Sequence, residues 1–112
     1  MDRIKFFQAA IIDILKDNAA YYKGTTNPLN LLVISDKENN HFQLLMQGWR
    51  DKDYTFQSLI HLDIINEKIW IQWNNTACEI EIELLKKGVA ANEIVLGVKS
   101  PEFRTYTDFA VA

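Results

Sequence analysis

Ile60, Leu62 and Ile64 alternate with His61 and Asp63, and Ile69, Ile71 and Trp73 alternate with Trp70 and Gln72. Residues two apart on a strand project from the same face, so each run is a strand with two unlike sides. The polar pair Asn66-Glu67 between them fits a two-residue turn. That turn sets Ile65 opposite Lys68, Asp63 opposite Trp70 and His61 opposite Gln72. The hairpin then has an apolar side, Ile60, Leu62, Ile64, Ile69, Ile71 and Trp73, which should take helices. Its mixed side carries Gln57, His61, Asp63, Trp70 and Gln72.

Two further strands precede the hairpin. Leu29 to Ser35 is rich in Leu, Val and Ile, and His41 to Trp49 alternates with Phe42, Leu44 and Met46 on one face. Asp36-Lys37-Glu38-Asn39-Asn40 and Arg50-Asp51-Lys52-Asp53 are polar breaks. The third strand reads from Tyr54, with Tyr54, Phe56, Ser58, Ile60, Leu62 and Ile64 on one side. Short turns between successive strands imply an antiparallel four-stranded meander.

Ahead of the strands, Ile4, Phe7, Ile11, Leu15, Ala19 and Tyr22 recur at helical spacing. Asp2 is placed to cap that helix, Gly24 to end it, and Asn27-Pro28 cannot continue it. After the strands, Thr76-Ala77-Cys78-Glu79 fits a capping box for a short second helix. The order of Glu79, Glu81 and Glu83 before Lys86 and Lys87 suits the helix dipole, and Gly88 terminates the segment. Asn92 to Leu96 reads as a short turn or strand, and the chain after Pro101 reads as extended. The apolar end Phe109-Ala110-Val111-Ala112 should dock on the fold or on a partner. The expected architecture is α+β, one domain over residues 1–112, with both helices on one face of the meander. Ile11, Leu15, Leu62, Ile64, Ile69, Ile71 and Leu84 are its expected core.

Charge narrows the function. Twelve basic and fifteen acidic residues give a net charge of −3. Proteins that grip nucleic acid through phosphates carry a surplus of Lys and Arg. Here Lys86-Lys87 is the only adjacent basic pair, so little or no direct nucleic-acid binding is expected. The one cysteine, Cys78, permits no internal disulfide and suits a reducing cytoplasm. The N-terminal run is interrupted by Gln8, Asp13 and Lys16, so it is neither a signal core nor a membrane span. The sequon Asn74-Asn75-Thr76 then reads as chance.

Chemistry-bearing motifs are few. Gly24, Gly48, Gly88 and Gly97 are scattered, so no phosphate-cradling loop and no cofactor site are expected. Cys78 sits among glutamates and reads as a structural apolar residue. His61 and Asp63 share a strand face, but a metal needs three or four ligands, and His41 lies on another strand. No metal site and no catalytic residues are expected. Two readings of the mixed face stay open: a solvated sheet face held by cross-strand pairs, or a protein–protein surface, since Trp is enriched in interface cores.

Met46-Gln47-Gly48-Trp49, Ile60-His61-Leu62-Asp63-Ile64, Lys68-Ile69-Trp70-Ile71-Gln72, Gly88-Val89, Ile94-Val95-Leu96-Gly97 and Phe109-Ala110-Val111-Ala112 occur in this order along the chain. In them the sequence resembles the XisI family, the fdxN element excision controlling factors, from the first helix to the last residue. The departures fall at turns: Asn66-Glu67, Asn75-Thr76-Ala77, Ser100-Pro101 and Asp108. The resemblance implies a cyanobacterial accessory protein that helps control excision of a DNA element by a site-specific recombinase during development of nitrogen-fixing cells. It also implies a partner, XisH, which looks like a nuclease-fold protein, and no catalytic residues. With the acidic charge, this favours a non-catalytic subunit acting through a protein partner or as a homo-oligomer. The alternatives are a small enzyme or ligand-binding domain using the His61/Asp63 face, and direct DNA binding through Lys86, Lys87, Lys99 and Arg104.

Overall fold

The computed structural model describes residues 2–24 and 28–112, so Asn27, expected to help break the first helix, lies outside the described residues. Helix α1 spans Arg3–Lys23, with Asp2 at its N-cap accepting hydrogen bonds from the amides of Ile4 and Lys5. Strands β1 (Asn30–Asp36), β2 (His41–Arg50), β3 (Asp53–Ile65) and β4 (Lys68–Asn74) form the antiparallel meander. A short helix α2 (Ile80–Lys86) and a 3-10 turn (Ala91–Glu93) lead to β5 (Ile94–Val95), and α3 spans Pro101–Arg104. The sheet order is β1-β2-β3-β4-β5, with β5 parallel to β4. The sheet therefore has five strands rather than four. Ile94 and Val95 are both fully buried, so two residues suffice to extend it.

The fold is α+β with α1 and α2 on one face. Phe7, Ile11 and Leu15 of α1, Ile80 and Leu84 of α2, and Leu62, Ile64, Ile69 and Ile71 of the sheet belong to one buried cluster. Every expected core residue is in it. Apolar burial of this kind is the main favourable term in folding.

Three local expectations are corrected. The Thr76–Glu79 capping box does not form, because α2 begins at Ile80 with Glu79 at its N-cap and no side-chain cap. Thr76 Oγ1 instead donates to Asn74 Oδ1 (2.6 Å) and accepts from the Cys78 amide (3.2 Å), which ties a turn ahead of the helix. The chain after Pro101 is not extended: Ser100 Oγ accepts from the Phe103 amide and caps α3. The C-terminal tail docks on the fold, with the Ala110 amide bonded to the Ile94 carbonyl at 2.9 Å and Phe109 packed on the core.

The third correction concerns strand faces. Pairing runs Leu44↔Ile60 but Leu45↔Ser58, so Leu59 is an extra residue in β3. Leu59 and Ile60 are adjacent, apolar and both buried, as are Leu44 and Leu45 opposite them. A bulge lets both neighbours bury, which alternation forbids. Beyond it the parity inverts, so Tyr54, Phe56 and Ser58 leave the core side and Gln57 joins it opposite Met46. A second bulge, at Gln72, sets His61 opposite Trp73 rather than Gln72 and turns the exposed Trp73 to the outer face.

Candidate functional site

The turn Asn66-Glu67 forms as expected, with φ of 50° and 61°, and pairs Asp63 with Trp70. On the other flank of β3, the Leu59 bulge brings His41 opposite Asp63. Without that extra residue the β2–β3 register, Arg50↔Asp53 onward, would set His41 opposite Leu62 instead. His41 is held at the start of β2 by the turn before it. Gln8 of α1 donates to Asn40 Oδ1 and to the Lys37 carbonyl, and Asp36 Oδ1 accepts from the Asn39 amide.

The result is a compact polar cluster on the outer face, opposite α1 and α2. His41 Nδ1 lies 2.7 Å, and His61 Nε2 2.8 Å, from the same oxygen of Asp63, Oδ1. Gln72 Nε2 donates to the other carboxylate oxygen, Oδ2, at 3.3 Å. Asp63 is 8% exposed, the one buried charged residue among those described. Burial alone would raise its carboxyl pKa. Hydrogen bonds from His41, His61 and Gln72, with the charge of His61, outweigh that and hold it below the usual range. His41 is pushed above the ordinary histidine value, chiefly by its bond to Asp63 and further by the charges of Asp63 and Asp36. The reason for setting His41 aside, its place on a different strand, is thus removed by the register.

Of the five sequence-predicted residues, His61, Asp63 and Gln72 come together, and Gln57 lies on the other face. Trp70 stands beside them but is covered from within the chain. The Arg104 guanidinium lies 5.0 Å above its ring, and a Cβ on Gly97 would collide with Gln72 Oε1 and come within 3.0 Å of the Trp70 ring. Arg104 also donates to the carbonyls of Leu96, Gly97, Lys99 and Val111. It is therefore committed within the fold, and Lys86 pairs with Glu83. The basic set considered for DNA loses its arginine. Among the described residues, surface clefts lie along α1 and α2, lined by Asp17, Asn18, Cys78 and Glu83 rather than by His41, His61 or Asp63.

A larger feature of the outer face escaped the sequence. Paired residues share a face, so Leu32, Leu45, Ser58, Gln47, Phe56, Trp49 and Tyr54 all lie on it with His41 and His61. Phe56 is 66%, Trp49 63% and Tyr54 52% exposed, and Leu32, Ile34 and Trp73 are also exposed. The Trp49 and Tyr54 rings meet edge to face at 5.1 Å. This side of the sheet thus carries an apolar patch beside the histidine–carboxylate cluster.

The XisI protein family model matches residues 1–111. The chain belongs to the XisI family. It is similar, at 33% identity and a TM-score of 0.89, to the crystal structure of a XisI-like protein from Anabaena variabilis ATCC 29413, covering 97% of this chain and 99% of that one. It is also similar to fdxN element excision controlling factor XisI from the same organism, at 29% identity and a TM-score of 0.82. That match covers 99% of this chain and 100% of the other. No curated protein matches the chain. Among the described residues no helix is long and apolar enough to cross a membrane.

Proposed function

We propose that this XisI-family chain is a non-catalytic accessory factor in controlling excision of a DNA element, and that it acts through a protein partner. The outer sheet face carries this reading. Leu32, Ile34, Trp49, Tyr54, Phe56 and Trp73 expose large apolar side chains on one surface, where a partner can desolvate them. Exposed apolar patches mark interaction sites, and aromatic residues dominate interface hot spots. The net charge of −3 and the intramolecular engagement of Arg104 speak for a protein rather than DNA as the contact. The similar structure named as an excision controlling factor supplies the process, and the family resemblance supplies the partner class, a XisH-like nuclease-fold protein.

Co-expression with a XisH-like protein from the same genome tests the reading. A stoichiometric complex is expected, lost in Phe56→Ser and retained in the α1 surface variant Lys16→Ser. Failure of the two proteins to co-purify, with both folded, would contradict it.

A further inference from the structure

His41, His61 and Asp63 are used by neither the core nor the apolar patch, and their geometry exceeds what satisfying one carboxylate needs. One imidazole would pair Asp63. Two converge on the same oxygen from adjacent strands, and the three potential ligand atoms all lie within 4.8 Å of one another.

We infer that His41 Nδ1, His61 Nε2 and Asp63 form a binding site for a divalent first-row transition-metal ion, with zinc as its type. Two imidazoles and one carboxylate are a ligand set that suits such ions. Three protein ligands leave further coordination positions for water, on the solvent side of the sheet. Tetrahedral ligation at about 2.1 Å separates ligand atoms by about 3.4 Å, so each ring must withdraw by roughly 0.6 Å from Asp63 Oδ1 while the two imidazole nitrogens, within 4.8 Å of each other, close toward one another. The His41 side chain is 57% exposed and has room to do so, which also supplies the entry path.

The surroundings are those of a supported site. Asp63 Oδ2 is held by Gln72, leaving Oδ1 turned to both histidines. Such outer contacts orient metal ligands and tune affinity. Gln72 is in turn confined by Gly97. His41 is positioned by a turn that Gln8 ties to α1. All three ligands stand on paired strands rather than loops, which favours a fixed geometry. Cys78, the chain's one thiol, lies between α1 and α2 among the residues of a different cleft, so it gives an internal control.

The test is calorimetric titration of the chelator-stripped full chain with Zn²⁺, paired with the absorption spectrum of the Co²⁺ form. One saturable equivalent is expected. The Co²⁺ spectrum should show d–d bands of nitrogen and oxygen ligation without a thiolate charge-transfer band. His41→Gln and His61→Gln should each weaken Zn²⁺ binding at least tenfold, and Gln72→Ala by about 10-fold or more. Cys78→Ala should leave it unchanged. His41 is exposed, so His41→Gln keeps the fold and decides the question even if His61→Gln does not fold. No saturable binding, binding undiminished in His41→Gln, or a thiolate band in the Co²⁺ form would overturn the inference.

Discussion

His41 Nδ1 and Asp63 Oδ1 stand 2.7 Å apart although 22 residues separate them in the chain. The contact exists because β3 carries one residue more than β2 across the pairing, Leu59, whose apolar side chain is buried. A packing decision in the core thus sets the chemistry of the opposite face. Leu59 buries beside Ile60, the register moves by one, and an imidazole that would have met Leu62 meets a carboxylate.

The core assignment predicts a large effect at Leu62, which is fully buried at the centre of the sheet. Leu62→Ala should cost about 2–5 kcal/mol in denaturant unfolding, the transfer and cavity terms together. A loss under about 1 kcal/mol would place Leu62 outside the core.

The β3–β4 turn is strained at Glu67, whose φ is 61°. A left-handed conformation costs a residue with a Cβ roughly 1–2 kcal/mol, whereas glycine adopts it freely but loses more entropy on folding. Glu67→Gly should therefore raise stability by about 0.5–1 kcal/mol, read as a higher denaturation midpoint. A lower midpoint would mean the turn has another conformation.

The turn before α2 hangs on Asn74 rather than on a Thr76 cap. Asn74 Nδ2 donates to the Cys78 carbonyl at 2.8 Å, and its Oδ1 accepts from the amide and hydroxyl of Thr76. Asn74→Ala removes all three bonds and should destabilise by about 2 kcal/mol, with Thr76→Ala costing about half as much. Thermal unfolding of the two variants checks the order. Thr76→Ala proving the more damaging would restore the capping box.

Arg3 donates to both carboxylate oxygens of Glu93, from the first turn of α1 to the 3-10 turn before β5. That bond, with a smaller charge contribution, holds the Glu93 pKa below the ordinary glutamate value in spite of a desolvation cost. A depressed folded-state pKa contributes stability above the unfolded value and loses it as pH falls through the folded one. The stability gap between the native chain and Glu93→Gln should therefore be present near about pH 6 and shrink as pH falls below the ordinary glutamate value of about 4.3. A gap independent of pH in that range would show that the pair does not titrate with folding.

The sequence was legible where structure is local. The Ile4, Phe7, Ile11 and Leu15 stripe is a helix because its period is set within a few residues, and Asn66-Glu67 is a turn because its length fixes it. Reading failed where a single residue changes parity. Gln57 and Trp73 changed faces, and the exposed aromatic surface went unseen, because the bulges at Leu59 and Gln72 follow from packing across strands. Adjacent buried pairs, Leu44-Leu45 and Leu59-Ile60, were the available signal. Thr76 failed for a different reason. Asn74, two residues earlier, offered its hydroxyl and amide a closer partner than a helix end did. Trp70 did need covering, but Arg104 and Gly97 cover it from within the chain, a contact no strand pattern encodes.

The central claim is that the outer sheet face docks a protein, and Phe56, the most exposed aromatic of that face, tests it most directly. The measurement is the dissociation constant for the proposed XisH-like partner, for the native chain and for Phe56→Ala, beside the thermal midpoint of each free protein. A hot-spot position should lose at least about 2 kcal/mol of binding, near thirtyfold, while the midpoint stays put. An unchanged dissociation constant in a folded variant would contradict the account.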